Sequence, residues 1–501
     1  MVAHTTFPRR LFLVILLCVT IIVLVAGYGF RFMNGQEDTL SLGQDICDHL
    51  VVMENHKQAL SHWAAKGVRN AVLVNLDAHD DIGRISPEKM DQIGGILARV
   101  ADDGTNKLSR DLGTLVGDAD FIYAAAKFGI VREVYWVVPF FFQQTPDIKG
   151  RLINMLGEFG FSLQDIGTFT MRGDRFSGEI DGISLHLCDL DSLPEFQEPV
   201  LLSIDVDFIP VMAANTGERL IDAVRGIVNG LARKEFQVGD VSIAYSSDGA
   251  YVSTCHRWVG DLIVDLLGHP IISLRSQLPG HYEFLQRAER LRAMGRHGDL
   301  LDLLTPFLDE DFITAPALMY AAFACSGSGA VDQAFEYAEA ACEKDRNYCT
   351  GLPEIGSEML YTEGIEAAER FFVEGYRRNP DMARGQFKLA LAMKKAGRYD
   401  DALHYFNMFR KLYGTFPVDF YIAETQLLNG NDSAALGYFN SARQQLLIDA
   451  HAWSAFGDER VVRRAIDFYE RKGYENYAGE MQLSLALKEK NYPGHPDMMR
   501  Q

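Results

Sequence analysis

Eleven residues, Ala71-Val-Leu-Val-Asn-Leu-Asp77-Ala-His79-Asp80-Asp81, join a short apolar run to carboxylates and an imidazole at alternate positions, Asp77, His79 and Asp81. Carboxylate oxygen and imidazole nitrogen are hard and borderline donors, and together they suit a divalent cation. The same build recurs at Pro199-Val-Leu-Leu-Ser-Ile-Asp205-Val-Asp207-Phe208, an apolar run ending in paired carboxylates. A nearly continuous apolar run reads as a buried strand of a parallel sheet. In an open α/β sheet the chemistry collects at the carboxyl ends of the strands. Two such strand ends meeting over one metal site is what these residues predict.

The elements needed to position them follow from the surrounding pattern. Between about Ser41 and Leu278 apolar runs alternate with helical stretches: Leu50–Met53, Lys57–Lys66, Pro87–Ala101, Phe121–Phe128, Val134–Pro139, Ile148–Phe159, Ile221–Arg233, Val241–Ser246 and Trp258–Leu267. Ser184–Asp189 reads as a further strand in an irregular stretch. The expectation is an α/β domain over residues 41–280, a parallel sheet with helices on both faces.

Past Glu283 the texture changes to helix after helix. Leu300, Ala334, Ala368, Ala402 and Ala435 recur at intervals of 34, 34, 34 and 33 residues. A glycine stands five residues before each (Gly295, Gly329, Gly397, Gly430) or four (Gly364), and Leu304, Ala338, Phe372, Phe406 and Phe439 stand four after. This period and layout resemble the tetratricopeptide repeat, a helix–turn–helix unit. An all-α repeat array over 285–490 is expected, with a concave surface suited to a peptide or protein partner.

The 501 residues are a prior of about three domains. A net charge of −20 argues against a protein that tracks nucleic-acid phosphates. Leu11–Gly27 carries no charge and follows Arg9 and Arg10. With its flanks it is just long enough to cross a bilayer, and its core is long for a cleaved signal peptide. The sequence therefore predicts a signal-anchor transmembrane helix within residues 1–35, with a cytosolic N-terminus and extracytoplasmic main domains in a single-pass membrane protein. No C-x-x-C pair is present, which disfavours a zinc ribbon or a thioredoxin-like site. Disulfides and buried thiols both remain open for the six cysteines outside the apolar segment.

Asp77-Ala-His79-Asp80-Asp81 matches the D-A-H-x-D motif of the arginase and agmatinase (ureohydrolase) superfamily, and Ser203-Ile-Asp205-Val-Asp207 its later S-x-D-x-D motif. With Glu54-Asn55-His56 upstream and Tyr135-Trp-Val-Val-Pro139 between, the set resembles most closely the UPF0489 family, arginase-like domains that include peptide arginases. The resemblance covers about residues 45–270. It implies six ligands, His56, Asp77, His79, Asp81, Asp205 and Asp207, for two divalent ions. Their donor chemistry suits manganese better than thiolate-bound zinc.

The function expected from this resemblance is metal-dependent hydrolysis of a linear carbon–nitrogen bond, from a guanidino group to an amine plus urea, with arginine inside a peptide as a specific case. Asp248 is the candidate for holding the guanidinium and His256 for passing a proton to the leaving amine. The sequence departs from the superfamily in lacking the glycine pair before the first histidine and in carrying Ile209-Pro210 where Asp-Pro is usual. Two alternatives stand beside this reading. One is a zinc deacetylase-like amidohydrolase, disfavoured by Asp81, Asp207 and His56, which suit two metals. The other is a membrane-tethered scaffold with a catalytically silent α/β domain.

Overall fold

The computed structural model describes residues 49–491 except 104–105, 140–149, 151–152, 154–160, 235–236, 249–250, 269–277, 309–313, 381, 383, 413–417 and 449–458. Eight strands form one sheet: β1 (Leu50–Met53), β2 (Ala71–Leu76), β3 (Val131–Val137), β4 (Thr170–Arg172), β5 (Arg175–Ile180), β6 (Ile183–Cys188), β7 (Val200–Asp205) and β8 (Val238–Ala244). Their order is β1-β8-β7-β2-β3-β6-β5-β4. From β1 to β6 every neighbouring pair is parallel, whereas β6–β5 and β5–β4 are antiparallel.

The sheet is therefore mixed, not parallel throughout. The cause is local. Ile180 pairs with Ile183 across Asp181-Gly182, and both turn residues have positive φ, 48° and 79°. That is the backbone of a two-residue hairpin, which can join only antiparallel strands.

Strand periodicity puts successive side chains on opposite faces. Val72, Val74 and Leu76 of β2 join a core with α6 (Phe208–Thr216), α7 (Leu220–Ala232) and α8 (Arg257–Gly268). Leu73 joins a second core with α1 (Gln58–Ala65), α2 (Pro87–Asp103), α3 (Asn106–Leu115), α4 (Phe121–Lys127) and α5 (Leu163–Gly167). Each face of the sheet is thus sealed by helices. The ends of its strands remain the place where polar groups can gather.

The connection leaving β2 runs to β3 on one side, and the connection leaving β7 runs to β8 on the other. The crossovers diverge between these adjacent strands, leaving a crevice beyond their carboxyl ends. The expected helix Ile148–Phe159 lies almost wholly outside the described residues.

The second half of the chain is built of antiparallel helix pairs. After α9 (Gly280–Ala293) and α10 (His297–Leu308) come α11 (Ala315–Gly327) with α12 (Val331–Lys344), and α13 (Gly351–Thr362) with α14 (Ile365–Arg378). Then follow α15 (Gln386–Lys395) with α16 (Tyr399–Leu412), α17 (Asp419–Leu428) with α18 (Asp432–Ile448), and α19 (Glu459–Arg471) with α20 (Glu475–Asn491). The glycine between the helices of each pair has φ between 65° and 93°, a region glycine enters without the steric cost of a Cβ. Leu300, Ala334, Ala368, Ala402 and Ala435 are fully buried where paired helices cross, and so are Leu304, Ala338, Phe372, Phe406 and Phe439. A sixth glycine and buried alanine, Gly473 and Ala478, repeat the layout beyond the copies legible by period. Cys342 and Cys349 form a disulfide at the end of α12, and Cys188, Cys255 and Cys325 are buried thiols.

The expected transmembrane helix needs correction. No helix among the described residues is long and apolar enough to cross a membrane, and Leu11–Gly27 lies outside those residues. The most evenly apolar helix, α11, has 13 residues, about 20 Å at the α-helical rise against the ~30 Å of a bilayer core. Its side chains are spent on packing inside the array. The signal anchor, the membrane as a partner and the single-pass localisation therefore find no support among the described residues.

The array is not a loose appendage, because the core that includes α6 to α8 continues into it. Trp258 Nε1 donates to Tyr320 Oη at 3.0 Å, Ile221 N to Gln286 Oε1 at 3.1 Å and Tyr282 Oη to Asp265 Oδ2 at 2.6 Å. At the same junction His256 Nε2 stands 3.1 Å from Glu289 Oε1, and Arg292 Nε donates to Glu289 Oε2 at 2.9 Å. Burial would raise the Glu289 pKa, but His256 and Arg292 outweigh it and hold the carboxyl at about 2.

Two consequences are measurable. Phe406→Ala empties a fully buried site and should lower unfolding stability by about 3–5 kcal/mol, read from urea unfolding. The depressed Glu289 pKa means that its ionised form stabilises the fold above the ordinary carboxyl range, and that this contribution is lost as pH falls toward 2. The stability difference between wild type and Glu289→Gln should therefore be largest near neutrality and shrink steadily in acid.

Candidate metal centre

Both ligand-bearing strands end in the same local device. Asp77 Oδ1 accepts the backbone N–H of His79 at 2.8 Å, and Asp205 Oδ1 accepts that of Asp207 at 2.9 Å. A carboxylate bonding the amide two residues on forms a side-chain-closed turn. It brings residues i and i+2 together where the strand stops. The two turns are then tied across the crevice, because Ala78 N donates to Asp207 Oδ1 at 3.2 Å. Trp136 Nε1 on β3 holds the Asp77 carbonyl at 3.0 Å from the other side.

His56 comes from the turn after β1 and is buried. Its Nδ1 lies 2.8 Å from Asp77 Oδ2, 3.0 Å from Asp81 Oδ2 and 3.4 Å from Asp205 Oδ2, and makes no hydrogen bond. Its Nε2 is 2.6 Å from Ser203 Oγ. With only protein around it, burial opposes a charge on His56, yet Asp205, Asp77 and Asp81 outweigh it and raise its pKa well above the ordinary imidazole value. A bound cation would take the place of the proton held there and make Nδ1 a ligand. On the other side of Asp77, His79 Nδ1 is 2.7 Å from Asp207 Oδ2 and 3.8 Å from Asp77 Oδ1. Two clusters that could hold metal ions result, His56–Asp77–Asp81 and Asp77–His79–Asp207, and they share Asp77.

The electrostatics agree with that reading. Burial, then neighbouring carboxylates, push Asp77 well above the usual carboxyl range, and Asp205 and Asp207 upward as well. Burial pushes Asp81 to about 6 against the pull of His56, and Asp80 to about 7. Burial opposes a charge on His79, yet Asp207 and Asp77 outweigh it and raise its pKa to about 10. A site that binds surplus protons when only protein surrounds it is one whose carboxylates need a cation to stay ionised. Backbone strain gathers here too: Asp81 and Ser246 hold φ of 52° and 50° without being glycine.

All six candidate residues lie at this crevice, five of them in the two clusters and Asp205 3.4 Å from His56, and further residues bond to them. Ser203 stands inside the second motif and bonds His56. Ser246 Oγ donates to Asp205 Oδ2 at 2.5 Å. Glu54 Oε1 accepts Ser247 Oγ at 2.5 Å and Asp248 N at 3.0 Å, and Glu54 Oε2 accepts Arg257 Nη1 at 2.6 Å. The signal for Ser203 and Ser246 was their position at strand ends beside aspartates. Glu54 and Arg257 are 203 residues apart, and nothing local joins them.

Asp248 lies in the turn after β8. Its Oδ1 is buried without a hydrogen bond, and burial, then Glu54, raises its pKa to about 7. His256 stands elsewhere, at the junction with the array beside Glu289.

No protein-family model and no curated protein matches the chain. Among solved structures it is similar to MamA AMB-1, at 21% identity over 32% of this chain and 90% of that one with a TM-score of 0.26. It is also similar to MamA MSR-1, at 20% identity over 33% and 96% with a TM-score of 0.25. This likeness is distant and partial, and it lends no support to the ureohydrolase resemblance.

If the two clusters act as one centre, their shared carboxylate is the sensitive point. Asp77→Ala should abolish uptake of both ions and Asp207→Ala of one, as read by elemental analysis of chelator-free protein. Because Asp81 takes up a proton near pH 6, metal and proton compete, and affinity should fall as pH drops through that value.

Proposed function

We propose that the chain is a metal-dependent hydrolase of a linear carbon–nitrogen bond, acting on a guanidino group. The observation that carries this reading is the sharing of Asp77 by two His/Asp clusters at the crevice where the crossovers diverge. His56, Asp77, Asp81 and Asp205 would hold one ion, and His79, Asp77, Asp207 and Asp205 the other, manganese being the first choice by donor type. Bound there, two divalent ions supply a water acidified enough to attack at neutral pH.

The protein's own groups do the rest. Asp77 and Asp205 are aimed by the turns they close, and Ser203 and Ser246 hold His56 and Asp205 in orientation. Asp248 would pair with the substrate guanidinium. Its unpartnered oxygen and raised pKa are the marks of a carboxyl that gains from a cation beside it. The guanidinium carbon accepts the water oxygen, the bond to the substituted nitrogen breaks with its electron pair left on that nitrogen, and the nitrogen takes up both protons of the water and leaves as an ammonium. Urea is the other product, and atoms and charge balance.

Arginine within a peptide is the favoured substrate. It lacks the α-ammonium and α-carboxylate of the free amino acid and needs a groove where free arginine needs polar partners. The helix-pair array, a type of surface suited to polypeptides, is bonded to the loop that carries Asp248. Binding energy taken up remotely can be used at the reacting carbon.

Urea release at matched concentrations of arginine and an arginine-containing peptide tests this, with manganese supplied. Faster release from the peptide, lost in Asp248→Asn with metal content unchanged, is expected. Metal-loaded protein that releases urea from neither would overturn the assignment.

A further inference from the structure

The loop after β8 brings Ser246 to Asp205 and carries Asp248. It is closed at its base by Val252 N donating to Ser246 O at 3.1 Å. The α/β domain supplies some of its support: Ser246 N bonds Glu54 O at 2.8 Å, and Glu54 takes Ser247 and Asp248 as described above.

The remaining support comes from the array. Arg384, in the turn between α14 and α15, is buried. Its Nη1 donates to Ser247 O at 2.5 Å and to Val252 O at 2.8 Å, one on each side of the loop. Its Nη2 pairs with Glu354 Oε2 at 3.0 Å, and that same oxygen accepts Thr254 N at 2.8 Å. A single guanidinium thus spans the loop and fixes it to α13. Its planar fork is suited to this, because one rigid group holds several acceptors in a set geometry.

Arg384 is itself held in place. Tyr376 Oη donates to its carbonyl at 3.0 Å. The next residue, Gly385, has φ of 77°, and a Cβ there would come within 2.5 Å of the Phe372 ring. The backbone conformation and the space both disfavour a residue with a Cβ there, so the array's own packing helps to specify the turn that delivers Arg384.

We propose that Arg384 is a positioning residue for the metal centre, so that the repeat array forms part of the site through the loop it fixes and is not only a docking surface. The inference rests on the metal reading above. The chain of contacts is Arg384 to Ser247 and Val252, loop to Ser246, and Ser246 Oγ to Asp205 Oδ2. Removing a hydrogen-bond partner that aims a metal ligand commonly weakens metal binding about 10- to 100-fold.

Charge alone predicts the opposite sign. Arg384 is a cation near a cation site, and deleting it should tighten manganese binding by relieving repulsion. The two roles therefore separate in one measurement.

The experiment is manganese titration by calorimetry on the full chain as wild type, Arg384→Gln and Arg384→Lys. Amide hydrogen exchange on the same proteins without metal runs beside it. Arg384→Gln should bind manganese at least about tenfold more weakly. Arg384→Lys, whose ammonium can still reach a carbonyl, should lose less. Exchange at Val252 and Thr254 should quicken in Arg384→Gln while the amides of α15 to α18 keep their protection. Should Arg384→Gln lose that protection, Arg384→Lys decides. Unchanged or tighter manganese binding in a folded variant would overturn the positioning role. Wild-type protein that takes up no manganese would instead remove the metal reading beneath it, and the silent reference distinguishes that failure from the first.

Discussion

Everything at the crevice follows from the crowding of like charge. Asp77, Asp81, Asp205 and Asp207 are buried within reach of one another, where the repulsion between carboxylates is poorly screened. Such a group can survive by taking up protons or by holding cations, and an imidazole on either side of Asp77, at 2.8 and 3.8 Å, favours the second course. The fold bears this cost because its apolar faces are sealed elsewhere, by α1 to α4 on one side and α6 to α8 on the other. A sheet with both faces covered has its strand ends left as the place to concentrate polar groups. The divergence of crossovers between β2 and β7 makes one of those ends concave.

Crowded ligands also demand rigid support, because a carboxylate free to swing would turn away from its neighbours. The support arrives in layers. Backbone amides of His79 and Asp207 bond the first aspartate of each turn. Hydroxyls of Ser203 and Ser246 bond His56 and Asp205. Beyond them Glu54, Arg257 and Arg384 hold the loop that carries Ser246. The first layer is local, the second spans 41 and 147 residues of chain, and the last includes Arg384 of the repeat array. The continuous buried core between the two regions gives that last contact a fixed origin, since a guanidinium on a freely hinged module could not keep two carbonyls in range.

The motifs around Asp77 and Asp205 were legible because their geometry is local. A carboxylate that bonds the amide two residues later needs only its own turn, so spacing in sequence becomes spacing in space. The repeats were legible for a related reason: each helix pair meets only its neighbours, and the small residue needed at the crossing recurs with the period. The copy at Gly473 and Ala478 broke that period and escaped it. The antiparallel hairpin at Asp181-Gly182 carried a local signal as well, an Asp-Gly pair between alternating apolar residues, which identifies a two-residue turn. Reading the region as a single strand passed over it. The apolar run Leu11–Gly27 is a case where composition alone suggests a membrane helix; it lies outside the described residues, among which no helix is long and apolar enough to cross a membrane.

By itself, then, the sequence determined the alternation of strand and helix, the helix-pair array and the candidate ligands, because each depends on contacts within a turn or between chain neighbours. Only the tertiary structure decided that Asp77 is shared between two clusters, that Ser246 and Glu54 meet the site, and that His256 belongs to the junction with the array. It alone decided that Arg384 reaches the loop. The Ser246–Asp205 and Glu54–Ser247 contacts span 41 and 193 residues of chain, and those of Arg384 132 and 137. No local periodicity encodes them. They exist because strand order places β1, β8, β7 and β2 side by side and a common core presses the array against their ends.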